Sequence, residues 1–187
     1  ASQPLDMAPS ADGQILYVTN SNAAAVTAID LATNTPHLLP LDRQGSGPFG
    51  VASIDQTVYV ADLENDEVLA LDPQGSIVAR IPTPSPRSLA ASPDGTRLYA
   101  TSIRTNRFSI IDPVNNRVAK TLFLPVRGTF ALAPSPDGRK VYITAQDDGQ
   151  LLVLDALADT LLATLATGVN PRAVTFDPDG RLAFVTN

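Results

Sequence analysis

The chain has 187 residues, of which 44% are hydrophobic, and a formal net charge of −6. It contains no run of Lys and Arg residues, which argues against a nucleic-acid partner, and no apolar stretch of about 18 residues, which argues against a membrane span. Because it has no cysteine, a disulfide framework and a thiolate metal site are excluded.

The first unit of the chain predicts four short strands. An apolar strand leads into "SADG" at 10–13, where Asp and Gly suit a tight turn. The alternating strand "LYVTN" at 16–20 follows, and a third strand ends at Asp30, which suits an Asx turn. The fourth strand carries the only histidine, His37. We expect His37 to be a surface residue rather than a catalytic or ligating one.

The next stretch, "GSGPFG" at 45–50, has the glycine spacing of a dinucleotide-binding loop. That function needs a helix directly after the last glycine. The following "VASIDQTVYVAD" instead predicts two short strands and a turn, and Pro48 removes one N–H that a phosphate would use. The stretch therefore indicates a junction between two units.

The same three markers then recur along the chain. The first is an aromatic residue in the second strand of each unit, with spacings of 42, 40, 43 and 42: Tyr17, Tyr59, Tyr99, Tyr142 and Phe184. The second is an aspartate that ends the third strand: Asp30, Asp72, Asp112 and Asp155. The third is an Asp-Gly turn five residues before the aromatic, which the second unit lacks: Asp12, Asp94, Asp137 and Asp179.

Four short antiparallel strands in each unit of about 40–45 residues are typical of a β-propeller blade. We predict an all-β fold with blades at about 1–41, 42–81, 82–124 and 125–166 and a half-blade at 167–187. Residues 155–167 have helical propensity, but the repeat places a turn and a fourth strand there. We expect the blade aromatics to be buried and the marker aspartates to be structural.

The units resemble the YVTN-type β-propeller repeat. Residues 17–20 read Tyr-Val-Thr-Asn, and the pairs Gly45 with Pro48 and Gly168 with Pro171 match the junction pattern of that repeat. The resemblance implies a ring that often has seven blades, and a secreted, periplasmic or surface-layer setting. Similar propellers include lactonases and the propeller domains of haem or quinone enzymes.

Both ends of the chain carry ordinary repeat sequence. We therefore expect a fragment of a larger ring of about seven blades, with a closed four-blade ring or an assembly of two chains as alternatives. Open blade edges recruit other strands, so we also expect that the isolated chain self-associates.

Candidate ligand-binding residues are basic and aromatic. Arg87 and Arg172 directly follow junction prolines, Arg127 lies in a third junction, and Arg104 lies in a loop on the same predicted face. Guanidinium groups there suit an anion or a carboxylate, whereas the structural alternative is pairing with neighbouring acidic residues. Phe49 and Phe130 lie on the same predicted rim and add apolar contact or simply pack. We expect the acidic loops "ENDE" and "QDDG" to be solvated rather than ion sites.

No residue in the sequence forms a recognisable catalytic group, metal site or cofactor site. The first expectation is an exported, non-catalytic binding or scaffold propeller that presents its channel mouth to a protein or a small anionic ligand. The alternative is the propeller part of an enzyme, either a lactonase-like hydrolase or a haem- or quinone-linked oxidoreductase.

Overall fold

The computed structural model describes residues 3–43 and 45–187. The first antiparallel sheet contains β1 (Pro4–Pro9), β2 (Ile15–Asn20), β3 (Ala25–Asp30) and β4 (Thr35–Pro40), with a 3-10 turn at Ser21–Ala23. The second contains β5 (Pro48–Ile54), β6 (Thr57–Asp62), β7 (Glu67–Leu71) and β8 (Ile77–Pro82). The third contains β9 (Pro86–Ala91), β10 (Leu98–Ser102), β11 (Arg107–Asp112) and β12 (Arg117–Phe123). The fourth contains β13 (Thr129–Pro134), β14 (Lys140–Ala145), β15 (Gln150–Asp155) and β16 (Thr160–Ala166), and β17 (Ala173–Phe176) pairs with β18 (Ala183–Thr186).

These sheets confirm the predicted fold class of four-stranded antiparallel blades with a further half-blade. In every sheet the strands pair in chain order, as in a meander. The stretch with helical propensity, 155–167, forms a turn at 156–159 followed by β16, so the predicted turn and fourth strand are confirmed. In the described ranges, no helix has the length and apolar character needed to cross a membrane.

The hydrophobic core lies between neighbouring blades rather than within one. The inner blades are covered on both sides, so β6 and β7 are buried along almost their whole length. Their alternating side chains go to two different clusters: Val58 and Val60 pack towards the first blade, whereas Tyr59 and Ala61 pack towards the third. Because successive side chains of a strand point to opposite faces of the sheet, each strand contributes side chains to two different blade interfaces.

The aromatic marker of each four-stranded blade packs against the following sheet, whereas Phe184 in the two-stranded sheet is exposed, contrary to the prediction. Tyr17, Tyr59 and Tyr99 are buried as predicted, and the Tyr59 hydroxyl donates to the Pro113 carbonyl oxygen at 3.2 Å. Tyr142 departs from this prediction because it is only partly buried. Its neighbour is the two-stranded sheet, where Phe176 makes an edge-to-face contact at 5.0 Å between ring centroids. Two strands cover less of the ring than four.

The marker aspartates organise the turns. In the turn after β1, Asp12 Oδ1 accepts bonds from the Ser10 hydroxyl at 2.6 Å and the Gln14 N–H at 3.0 Å. At the end of β3, Asp30 Oδ1 accepts the N–H groups of Ala32 and Thr33. The same contacts recur at Asp94, Asp112, Asp137 and Asp155. These bonds stabilise the charged carboxylates and lower the pKa of all six side chains.

The innermost strand of each four-stranded blade contains a β-bulge near its start. In the third blade, Ala100 pairs with Leu89 and Ser102 with Pro86, so Arg87 and Ser88 together face the single residue Thr101. Register shifts occur at the same place in the first, second and fourth blades. A bulge leaves its extra residue without a regular ladder bond and bends the strand, so another group must satisfy the backbone there.

The threonine of the second strand supplies that group. The Ser88 N–H donates to Thr101 Oγ1 at 3.0 Å, and the Thr101 hydroxyl lies 3.4 Å from the Phe130 carbonyl oxygen of the next blade. In the first blade, Thr19 accepts the Asp6 N–H at 3.1 Å and donates to the Phe49 carbonyl oxygen at 2.6 Å. Both threonines are fully buried. One threonine hydroxyl therefore accepts the free N–H of the bulge and also contacts a carbonyl oxygen of the next blade.

The second blade differs from the others at this bulge. Ala61 stands where the other blades have threonine, and Gly50 occupies the bulge. A Cβ on Gly50 would lie 2.8 Å from the Arg87 carbonyl oxygen and from the Leu89 nitrogen. The last glycine of "GSGPFG" thus permits close approach between blades, and a strand rather than a helix follows it.

Replacing Thr101 with Val should destabilise the protein by about 1–3 kcal/mol, because the Ser88 N–H would lose its acceptor while the side-chain shape is kept. The free energy of unfolding in urea measures this loss. Thr121→Val, at an exposed position of β12, is the matched control and should have little effect. Equal losses in the two variants would contradict the bridging role of Thr101.

The lowered pKa values of the turn aspartates predict loss of stability in acid. A carboxyl whose pKa is lower in the folded state stabilises the fold above its unfolded value, about 3.9, and this contribution disappears as the pH falls through the folded value. Urea unfolding between pH 6 and pH 3 should show this loss. In a D94N/D137N variant the loss should be smaller, since Asn keeps the acceptor oxygen but does not titrate. An unchanged pH dependence of the unfolding free energy in this variant would show that Asp94 and Asp137 do not contribute to the loss of stability in acid.

Candidate functional site

In the second, third and fourth blades, the first bulge residue lies at the bulged end of the innermost strand, beside the predicted central channel; Leu5 holds this position in the first blade. These positions hold Phe49 in β5, Arg87 in β9 and Phe130 in β13, and Arg172 occupies the corresponding position just before β17. Backbone contacts run from β5 to β9, from β9 to β13 and from β13 to β17. Three bulges and the residue before β17 therefore place four predicted site residues side by side, one from each of four consecutive sheets.

Their side chains form a stack of alternating rings and cations. The guanidinium carbon of Arg87 lies 4.7 Å from the centroid of the Phe49 ring and 4.3 Å from that of Phe130. The guanidinium carbon of Arg172 lies 5.4 Å from the Phe130 centroid. Each contact is within cation–π range, where the negative face of the ring attracts the cation. We call Phe49, Arg87, Phe130 and Arg172 the channel stack.

The two cations of the channel stack differ in exposure. Arg87 is half-buried and Arg172 is exposed. Among the residues that the structure describes, no carboxylate oxygen lies within 4.0 Å of either guanidinium group. Burial lowers the pKa of Arg87, with Asp6 opposing and Arg172 adding to this shift. The stack therefore keeps two positive charges near one another with rings, rather than acids, as their close partners.

Asp6 is a channel residue that the sequence analysis missed. It occupies the second bulge position of the first blade, where the other blades have small residues: Gly50, Ser88 and Ala131. Its carboxylate oxygens accept the N–H groups of Met7 at 3.0 Å and Val51 at 3.1 Å. Burial raises the pKa of Asp6, although these bonds and the charge of Arg87 act in the other direction.

A cavity of about 530 Å³ lies along the innermost strands. Its walls come from all five of these strands and are mainly small or apolar, and Asp6 is its acidic residue: Ala52, Ala90, Leu132, Val174 and Asp6 are among its lining residues. The cavity thus has a volume suited to a small molecule and one carboxylate on its wall, and its lining residues Ser88, Ala131 and Ala173 directly follow Arg87, Phe130 and Arg172 of the channel stack.

Arg104 and Arg127 do not join the channel stack. Both line a separate cavity of about 740 Å³ between neighbouring loops. Arg104 forms an ion pair with Glu64 at 2.9 Å, and the Arg127 N–H donates to Asp148 at 2.8 Å. Arg127 lies ten residues before the Asp-Gly turn of its blade, whereas Arg87 and Arg172 lie seven residues before theirs. The number of residues between each arginine and the Asp-Gly turn therefore distinguishes Arg127 from Arg87 and Arg172 in the sequence itself.

The other polar candidates have structural partners. In the loop "ENDE", Asp66 accepts the Ser85 N–H at 2.7 Å and Glu67 pairs with Arg80 at 2.5 Å. His37 is exposed on the outer strand β4, as predicted. Within residues 3–43 and 45–187, no group of three or more His, Cys, Asp or Glu side chains is arranged to hold a metal ion.

Comparison with known proteins gives a family match over the first half of the chain. The profile of the SMP-30/Gluconolactonase/LRE-like region matches residues 6–104, which is more than half of the sequence. No curated protein sequence matches the chain. The matched region contains all but the first two residues of β1, the rest of the first two blades, the first two strands of the third blade, and two members of the channel stack, Phe49 and Arg87.

Solved structures show the same fold at low sequence identity. Hydrazine synthase from Kuenenia stuttgartiensis matches with a TM-score of 0.90 and 22% identity, over 98% of this chain and 55% of that one. A catalytically inactive virginiamycin B lyase from Staphylococcus aureus, solved with quinupristin, matches with a TM-score of 0.82 and 13% identity, over 93% and 60%. A chain of a mitotic checkpoint complex matches with a TM-score of 0.84 and 15% identity, over 100% and 60%.

These matches establish the β-propeller fold and leave the function open. The chain spans 55 to 60% of the length of these solved chains. Their names describe a synthase, a lyase and a checkpoint assembly, so the fold serves unrelated activities. The residues of its own channel are therefore the evidence for the function of this chain.

The charge of Arg87 should influence the ionisation of Asp6. Replacing Arg87 with Met removes the cation that favours the charged carboxylate, so the pKa of Asp6 should rise further. Titration of the Asp6 carboxyl carbon by NMR measures this shift. Arg107→Met is the matched control, because Arg107 also lies over a phenylalanine ring, that of Phe123, but outside the channel stack. An Asp6 pKa that moves equally in both variants would contradict the coupling.

Proposed function

This chain belongs to the SMP-30/gluconolactonase/LRE-like family, and from that premise we propose that it is a non-catalytic propeller module that binds a small carboxylate at its channel mouth. The observation that carries the proposal is Arg87. Its guanidinium is half-buried between two phenylalanine rings, and no acid within the described residues lies within 4.0 Å of it. A carboxylate from outside would supply the missing negative charge.

The rings favour such a ligand through geometry. A guanidinium that stacks on aromatic faces keeps its N–H groups in the plane between those faces, so its edge remains available for bidentate bonds to a carboxylate. Phe49 and Phe130 hold Arg87 from two sides and reduce the side-chain entropy that binding would otherwise cost. The mainly apolar cavity beneath would take the hydrocarbon part of the ligand.

A second function is favoured by Asp6. A half-buried carboxyl with a raised pKa in a channel is suited to general-base chemistry, and the family includes gluconolactonases by name. In that case Asp6 would activate a water molecule and the arginines would stabilise an anionic product. We rank this hydrolase second because no second catalytic side chain accompanies Asp6 among the described lining residues of the channel.

The setting and partners of the chain belong to the same proposal. The resemblance of residues 17–20 to the YVTN-type repeat supports a location outside the cytoplasm. A partner protein would bind the same site through an acidic side chain or its terminal carboxylate. Self-association would use the edge of β18, where Phe184 is exposed and which has no further strand partner among the described residues.

Titration with acetate and succinate tests the proposal, with acetamide and succinamide as neutral counterparts. The Nε–H resonance of Arg87, followed by NMR, should shift with the acids and stay unchanged with the amides. A double variant, R87M/R172M, should lose the response, and R107M should keep it. A response to the acids that persists in the double variant, or no response in the native chain, would refute binding at the channel stack.

The hydrolase alternative has its own test in the same protein. Hydrolysis of an aldonolactone, followed by proton release, should be absent from the native chain under the first proposal. If the native chain and the R107M variant hydrolyse the lactone and the Asp6→Asn variant does not, the hydrolase function is supported and the non-catalytic proposal is wrong.

A further inference from the structure

We propose that the preferred ligand of the channel mouth is a dicarboxylate that bridges Arg87 and Arg172, one carboxylate on each guanidinium. This inference rests on the proposed function, since it specifies the class of anion that the same site takes. It comes from the position of the two cations around the single ring of Phe130. It adds a second charge and a defined span to the ligand.

The spacing of the two cations suits two separate anionic groups. Arg87 and Arg172 come from the blades on either side of Phe130, and their guanidinium carbons lie 4.3 Å and 5.4 Å from its centroid. Those distances keep the two carbons within about 10 Å of each other, a span that two charge-assisted contacts and a short carbon chain can cover.

The charges support the same ligand. Arg172 is a like charge that acts on Arg87, and neither has a carboxylate within 4.0 Å in the described part of the chain. A monocarboxylate neutralises only one of them. A dicarboxylate removes the repulsion and satisfies both guanidinium groups at once, so the second carboxylate should contribute substantially to affinity.

Asp6 defines how the ligand lies. Its carboxylate is on the wall of the cavity beneath the mouth and acts electrostatically on Arg87. A second anionic group directed down the channel would approach this carboxylate and be repelled. The favourable arrangement therefore runs across the mouth, from Arg87 over the edge of Phe130 to Arg172.

Calorimetric titration with matched ligands tests the inference. Succinate and glutarate carry two charges, and succinamate has the length of succinate with one. At constant ionic strength, the diacids should bind at least tenfold more tightly than succinamate. Arg172→Met should reduce the affinity for succinate to that for succinamate and change succinamate binding less than threefold. R107M should leave both affinities unchanged.

The outcomes separate this inference from the proposal beneath it. Equal affinity for succinate and succinamate would overturn the bridged dicarboxylate while leaving a carboxylate site intact. Absence of binding by all of these acids would overturn the proposed function itself. Inorganic phosphate is the last comparison: binding as tight as that of succinate, with the same loss in the R172M variant, would indicate a single anion shared by both arginines and would also overturn the bridge.

Discussion

The bulge at the start of each innermost strand is the constraint on which the channel depends. Two residues face one across the strand pair, so a backbone N–H must find an acceptor outside the regular ladder. The buried hydroxyl of Thr101 accepts that N–H and approaches the next blade's carbonyl oxygen. One side chain thus resolves a local defect and couples neighbouring blades. The bend that it stabilises also turns the first bulge residue towards the channel mouth.

This arrangement lets one structural position carry different chemistry in each blade. The first bulge residue is Leu5, Phe49, Arg87 and Phe130 in the four four-stranded blades, and Arg172 stands at the corresponding position before β17. From Phe49 onwards these residues alternate between rings and cations. The second bulge position is packed against the adjacent blade and is mostly small. Asp6 is the exception, and its carboxylate satisfies backbone N–H groups of its own blade and of the next. The blades therefore share one backbone arrangement while the side chains at the channel mouth differ from blade to blade.

Most of the polar residues outside the mouth serve the architecture. The marker aspartates hold turns, Asp66 and Glu67 anchor a loop and a strand end, and Arg104 pairs with Glu64. Arg87 and Arg172 lack such an acidic partner within 4.0 Å in the described part of the chain. Arg107 also lies over a ring, that of Phe123, but Arg87 and Arg172 share one ring, that of Phe130, and Arg87 contacts a second ring as well. This grouping of two cations around one ring, rather than the number of basic residues, is what points to a ligand.

The sequence by itself determined the repeat, the strands and the turns, because a period of about 40–45 residues, strand alternation and Asp-Gly turns are all local signals. It also placed Arg87, Arg172, Phe49 and Phe130 on one rim. Only the tertiary structure decided that these four stack in order, that Arg104 and Arg127 lie in another cavity, and that Asp6 lines the channel. The physical reason is the bulge: which side chain reaches the channel depends on a one-residue register between paired strands, and pairing is a long-range property of the fold.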